Sequence, residues 1–465
     1  MLPAEPKIFH GRDAELADIL KLFGQGSLRI AILGAGGMGK TSLARTVLHR
    51  VEITAKYHEN RFFVACDTTS SKVELAGLIG AHLGIKPGKD LTQGVLQHFS
   101  NSPPSLLILD NLETLWEPVE SRNEVEEFLS HLTDIPGVAL MITMRGAERP
   151  SKVLWTHPFL PPLGPLAKDA AKEMFFDIAD AKHLMQEVDQ ILGLTDNVPL
   201  AISLLAHLVD TEGCSRILSR WETEKISLLS EGYDKKSNLE LSISLSLSSP
   251  RITSIRGTQD LLALLSILPD GLSDVELKQS KFPVEDILGC KVALLRTTLA
   301  YTDEHKRLKV LVPIREYMQK LLPASNKMIR PLFKHFKELL EVWGGHAGKQ
   351  TGSLVVSRVK SNFGNIQNIV QKGLYLGHPN LIDSGRFACL LNQFNRVINH
   401  GDVIPLLHHI ISMLPQLCDH QLEMHIIIEV LTSWCSANSS SKDLIIRGHE
   451  LIHHVDADLK GMFFT

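Results

Sequence analysis

Eight residues, Gly34-Ala35-Gly36-Gly37-Met38-Gly39-Lys40-Thr41, join a short apolar run to a helix-forming stretch, and this junction limits the fold more than any other feature of the chain. The pattern is GxxxxGK[ST]. Glycines let successive main-chain N–H groups converge on an anion with no Cβ in the way, and a following helix turns its positive end toward the same point. A strand must bring the chain to such a loop and a helix must carry it away, which a parallel sheet covered by helices achieves. The Lys40 ammonium adds a point charge for the outer phosphates of a nucleoside triphosphate, and the Thr41 hydroxyl can ligate magnesium. Residues 34–41, with Ser42 beside them, are the predicted seat of ATP or ADP with Mg2+.

The flanking pattern agrees. Residues 28–34 (LRIAILG), 61–67 (RFFVACD), 105–110 (SLLILD) and 138–145 (VALMITMR) read as strands, while 40–51, 72–83, 91–99 and 125–132 carry apolar residues at helical spacing. The first domain therefore reads as α/β, a doubly wound parallel-sheet P-loop NTPase domain. The third strand ends in Asp110, which delivers a carboxylate to the carboxyl edge where ligands of open α/β sheets bind. Beside a P-loop that carboxylate is expected to hold magnesium; elsewhere it would be a turn former or helix cap. Asn111 cannot act as a base, so water activation falls to Glu113 or to no residue of the chain, and hydrolysis should be slow. Arg145 ends the fourth strand at the same edge and is expected to contact a terminal phosphate; the competing reading is a surface ion pair.

Taken together, Phe9-His10-Gly11-Arg12, GAGGMGKT, LLILDN, ITMR and Asn197-Val198-Pro199-Leu200-Ala201 resemble an NB-ARC domain of the STAND class of P-loop ATPases, particularly fungal NLR-like proteins. The resemblance runs over about residues 8–325. It implies that Arg12 and Pro199 contact the base and ribose of the nucleotide. It also implies a winged-helix module that closes as a lid. Residues 298–311 (TLAYTDEHKRLKVL) suit the wing, with a polar turn at 303–306. The family ends this module in an MHD motif, but residues 310–316 read VLVPIRE and contain neither that histidine nor that aspartate. Control of the resting state is therefore open.

Beyond Pro323 the pattern is of consecutive helices, at 331–343, 363–374, 381–397, 403–414, 420–434 and 442–454, joined by short loops. The expected domains are thus 1–165 (nucleotide-binding), 166–235 (helical), 236–325 (winged helix) and 326–465 (helical, repeat-like). The last is a candidate surface for a protein partner. Because the predicted nucleotide domain starts at once, no length is left ahead of it for an effector module, and the chain reads as a fragment or an adaptor.

A formal net charge of −4 gives no global field for nucleic acid or an anionic membrane. The start lacks a secretory leader and no apolar run is long enough to span a bilayer, so a cytoplasmic location is expected. The six cysteines are scattered without a CxxC pair, and His408, His409, His453 and His454 lack the spacing of a metal site. The sequence thus reads as a nucleotide-controlled switch that oligomerises when ATP-bound. Two alternatives stand beside it: a DNA-loading P-loop ATPase with a winged-helix contact, and a scaffold that binds nucleotide without hydrolysing it.

Overall fold

Four apolar runs pair in parallel, β1 (Arg29–Gly34), β2 (Arg61–Ala65), β3 (Ser105–Asp110) and β4 (Val138–Arg145), and all but the edge strand β2 are buried over nearly their whole length. The structure is a computed structural model and describes residues 2–24, 28–67, 69, 71–85, 90–179, 184–229, 239–346, 350–373, 381–398, 406–407, 410–411, 419–433 and 439–464. The sheet order is β1-β4-β3-β2, with Gly34 opposite Arg145 and Ala65 opposite Asp110. Register therefore brings the ends of β1, β4 and β3 to one edge. Every residue of β3 is buried, as expected for a strand covered on both sides. Leu163 adds a parallel bridge to Gly34 of β1.

The covering helices include Lys40–His49, Lys72–His82, Leu91–Ser100 and Val119–Asp134. The last starts six residues before the expected 125, because its first turns (VESRNE) are polar and carry no apolar periodicity. A further helix, Val51–Tyr57, follows an extended Arg50 (φ −65°, ψ 145°) that interrupts the first. Leu75, Ile79, Val95, Phe99, Phe128 and Leu132 from these helices pack on Val64, Leu107, Leu109 and Leu140 of the sheet. Each such side chain contributes about 1.5–3 kcal/mol.

The chain divides into two compact units. One comprises Met1–Leu262, Asp286–Tyr301 and Val310–Leu321; the other comprises Ala263–Glu285, Thr302–Lys309 and Leu322–Thr465. Besides the sheet, the first unit contains the helices Lys168–Ile178, Met185–Thr195, Pro199–Glu212, Cys214–Glu224 and Leu239–Leu247. The expected polar turn at 303–306 forms: Asp303 N–H donates to the Arg307 carbonyl (3.0 Å), and the Asp303 carboxylate accepts from the N–H groups of His305 and Arg307. Short strands β5 (Tyr301–Thr302) and β6 (Leu308–Lys309) flank it.

The second unit is mainly helical, with helices Asn326–His346, Gln350–Lys360, Phe363–Gly373, Leu381–Ile398, His420–Ser433 and Ser439–Leu451. Pro331 marks an expected helix start yet sits inside the first of these. Its missing N–H costs about 3 kcal/mol there, offset by burial of Met328, Leu332, Phe333, Phe336 and Leu340 along the same helix. Most of the expected helix 403–414, with His408 and His409, lies outside the described residues. Beside the turn, the buried Arg307 donates to the carbonyls of Asp270 (2.7 Å) and Gly271 (2.8 Å) and to Asn362 Oδ1 (2.5 Å), near Glu276. Among the described residues no helix is long and apolar enough to cross a membrane.

Candidate functional site

β1 ends at Gly34, and the chain turns through Gly37 (φ +80°) and Gly39 (φ +84°) before the helix Lys40–His49 begins. These left-handed backbones strain any residue with a Cβ, and a Cβ on Gly37 would lie 3.1 Å from Leu200. The loop can therefore wrap as it does only with glycine at both places. The ten-residue helix after it has no acidic residue in its first turn, so its positive end faces the loop uncompensated.

Lys40 is 7% exposed, and its ammonium donates to the carbonyls of Gly34 (3.0 Å) and Ala35 (2.7 Å). Burial lowers its pKa from 10.5 to about 8; Glu113 and Asp110 act to raise it and Arg145 to lower it. Asp110, buried at the end of β3, accepts from the hydroxyls of Thr41 (2.9 Å) and Thr143 (2.6 Å) on one carboxylate oxygen. Its pKa is raised, first by burial, against the lowering effect of those two bonds. A divalent cation would favour the ionised form, and Thr41 with Asp110 supplies the hydroxyl and carboxylate oxygens that Mg2+ takes.

The fit to a magnesium nucleotide rests on these observations: a glycine cradle, a buried ammonium and an oxygen pair meet at the carboxyl edge. Around them lies a cavity of about 330 Å³, walled by Gly36, Gly37, Gly39, Lys40, Thr41 and Ser42 together with Arg45, Asn111, Arg145, Met174, Pro199, Leu200 and Ser203. That is the lower end of the size range of small-molecule sites. Pro199 is the first residue of its helix, and Leu200 N–H donates to the Gly37 carbonyl (3.2 Å), which fastens that helix to the loop.

Arg145 ends β4, between β1 and β3, and borders the same cavity. Its Nε lies 3.2 Å from Glu113 Oε1, and its main-chain N–H donates to Glu113 Oε2 (3.2 Å). Arg12 lies behind the loop: its buried guanidinium donates to the carbonyls of Met38 (3.1 Å) and Gly164 (2.5 Å) and pairs with Glu15 (2.8 Å). Ala35 and Met38 face a small apolar gap shared with Val198, Leu239, Ile243 and Ile314. Leu239 and Ile243 belong to the helix Leu239–Leu247, which thereby covers one side of the loop.

Sequence reasoning missed Arg45, Asn111, Met174, Leu200 and Ser203 as cavity walls. For Arg45 a signal existed: it follows Thr41 by one helical turn, so both share a face. Two main-chain bonds complete the site. Gly34 N–H donates to the Gly146 carbonyl (3.0 Å), and Ala147 N–H donates to the Arg296 carbonyl (2.8 Å).

Residues 2–210 match the family model described as novel STAND NTPase 1. Over that stretch the chain matches a STAND-class P-loop NTPase. Solved structures to which the chain is similar include the Walker-type ATPase PABY2304 of Pyrococcus abyssi, at 14% identity and a TM-score of 0.47, covering 69% of this chain and 98% of that one. The STAND protein PH0952 of Pyrococcus horikoshii, with a tetratricopeptide repeat sensor, is 14% identical with a TM-score of 0.33 and covers 99% and 73%. The Cdc6p protein of Pyrobaculum aerophilum is 15% identical with a TM-score of 0.39 and covers 69% and 97%. No curated protein matches the sequence. The STAND-type stretch contains all the residues that wall the 330 Å³ cavity.

Proposed function

We propose that this chain is an ATP- and ADP-binding switch of the STAND type, in which the state of the nucleotide decides whether a lid stays closed over the P-loop. One observation carries the reading: Lys40 with Thr41, Asp110 and Arg145, from three separate places in the sequence, converge on the carboxyl edge of one parallel sheet.

Bound nucleotide supplies a chain of phosphate oxygens that compete with the present partners of the site's donors. The loop amides hold the inner phosphates and Lys40 the outer ones, while Thr41 and Asp110 hold the metal. Arg145 reads the terminal phosphate. Pro199, with Arg12 bracing Met38 from behind, shapes the end of the site that takes the base and ribose. Hydrolysis is slow in this reading, because Asn111 replaces a second acid after Asp110.

The helix Leu239–Leu247 and residues 310–321 form the lid on the nucleotide side, as part of a winged-helix module. Two contacts support the lid: Val312 N–H donates to Asp196 (2.6 Å), just before Pro199, and Lys320 pairs with Glu240 (2.9 Å). Moving such a switch from 1:99 to 99:1 takes about 5.5 kcal/mol. Two or three charge-assisted contacts to the terminal phosphate, at about 1.5–3 kcal/mol each, supply that. The C-terminal helices offer a repeat-like surface for a protein partner, and the open form permits self-association in an NLR-like, cytoplasmic signalling role.

Calorimetric titration with Mg-ATP and Mg-ADP tests the reading. Lys40→Ala should abolish binding of both with the circular dichroism spectrum retained; undiminished affinity would remove the switch.

A further inference from the structure

Arg145 stands in the wall between two cavities. On one side is the P-loop cavity; on the other is a second cavity of about 210 Å³, bounded by Glu113, Glu117, Ser246, Ser249 and Thr297. Arg145 borders both, whereas Glu113 borders only the second. The guanidinium is thus flanked by a fixed carboxylate on one side and by the phosphate site on the other.

Glu113 is placed there by the chain's geometry. Asn111 (φ +58°) bends the main chain after β3, its N–H donates to the Thr143 hydroxyl (3.0 Å), and Leu112 N–H donates to the Thr143 carbonyl (3.1 Å). Glu113 is consequently fastened beside the end of β4. Both of its carboxylate oxygens face Arg145: Oε1 meets the side-chain Nε and Oε2 the main-chain N–H, each at 3.2 Å. The side chains are only 11% and 13% exposed, so little water competes. A carboxylate committed in this way on both oxygens is poorly placed to take a proton from an attacking water.

We infer that Glu113 is a tether for Arg145: it is the counter-ion from which a terminal phosphate must draw the guanidinium, and it thereby sets how strongly the site prefers a triphosphate to a diphosphate. The inference rests on the function proposed above. A diphosphate leaves the guanidinium with Glu113, whereas a terminal phosphate offers a competing anion from the other cavity. The main-chain bond to Oε2 does not depend on where the guanidinium points, so the carboxylate stays in position to recapture it when that phosphate leaves. Glu113 is in this account a positioning residue and contributes no proton transfer.

The test compares Kd for Mg-ADP and for the magnesium complex of an imido-bridged, non-hydrolysable ATP analogue, by calorimetry, in four proteins: unaltered, Glu113→Gln, Arg145→Ala and the double variant. The ratio of the two constants is read, since partial unfolding of a variant cancels from it. Neutralising the tether should raise the preference for the triphosphate analogue about tenfold, the size of one charge-assisted hydrogen bond. Arg145→Ala should abolish that preference, and Glu113→Gln should then add nothing. An unchanged or lowered ratio in Glu113→Gln, or an effect that persists without Arg145, overturns the tether. So would lost phosphate release in single-turnover assays with an unchanged ratio, the signature of a general base. If instead Arg145→Ala leaves the ratio untouched, the reading of Arg145 itself has failed. Should Glu113→Gln not fold, Glu113→Asp keeps the charge but draws it back by one methylene, and should move the ratio in the same direction.

Discussion

Raising the pH from 7 to 9 should make nucleotide binding by this protein draw a proton from solution. Burial brings the Lys40 ammonium down to about 8 in the free protein. About a tenth of the molecules then carry a neutral amine at pH 7 and about nine tenths at pH 9. Phosphate oxygens favour the ammonium, so the bound form has the higher pKa and a neutral Lys40 must take up a proton as ligand enters. Uptake should rise from about 0.1 to about 0.9 proton per site, and affinity should fall about tenfold per pH unit above 8. Calorimetry in two buffers of different ionisation enthalpy, at each pH, measures the uptake directly. Uptake that stays flat across the range would refute the assignment of Lys40 to the phosphates. The same shift predicts the stability of the free protein. Because the folded pKa lies below the unfolded value of 10.5, the unfolded chain binds more protons between about 8 and 10.5, and this group's contribution improves as pH rises through that window. Below 8 the buried charge costs about 3 kcal/mol. Lys40→Ala should therefore melt no lower than the unaltered protein at pH 7.

Asp110→Asn should remove the dependence of triphosphate affinity on Mg2+, bringing the ratio of affinities with and without the metal close to unity in the same calorimeter. Salt-titrated binding to duplex DNA should show no specific uptake even at low ionic strength, as the net charge of −4 implies; a steep salt dependence would favour the DNA-loading alternative. Arg307→Ala should destabilise the helical unit by about 3–5 kcal/mol in thermal unfolding, because it removes a donor from the half-buried Asp270 carbonyl and from Asn362 and leaves the buried Glu276 without its nearest guanidinium.

The sheet was legible because parallel strands buried on both faces are short, almost wholly apolar words bounded by turn residues. β1, β3 and β4 begin or end within a residue of their apolar runs. The phosphate loop was legible for a different reason, since glycine at positive φ next to lysine has few other uses. Where side chains converge from separate elements, spacing alone could not tell. Nothing in the order of residues reveals that Met174 and Ser203 share a cavity with Thr41, or that both oxygens of Glu113 meet Arg145. Pro331 misled because proline favours a first helical turn, but the apolar side chains at 328, 329, 332 and 333 outweigh that preference. Val119–Asp134 was shortened at its start because solvated turns leave no apolar trace.

The peptide after Arg145 gives the arrangement its durability. Gly146 presents its carbonyl to Gly34 on one side, while the next amide grips Arg296 on the other, and a Cβ on Gly146 (φ +90°) would lie 2.6 Å from the Arg296 carbonyl. Any turning of that strand end must pull on both neighbours through main-chain atoms, which every amino acid except proline carries alike. Substitution can retune the arginine or its acid, but as long as positions 34 and 146 stay glycine the linkage from the phosphate loop to residue 296 does not depend on those side chains. An evolving sequence could thus lose the trigger and still keep the lever.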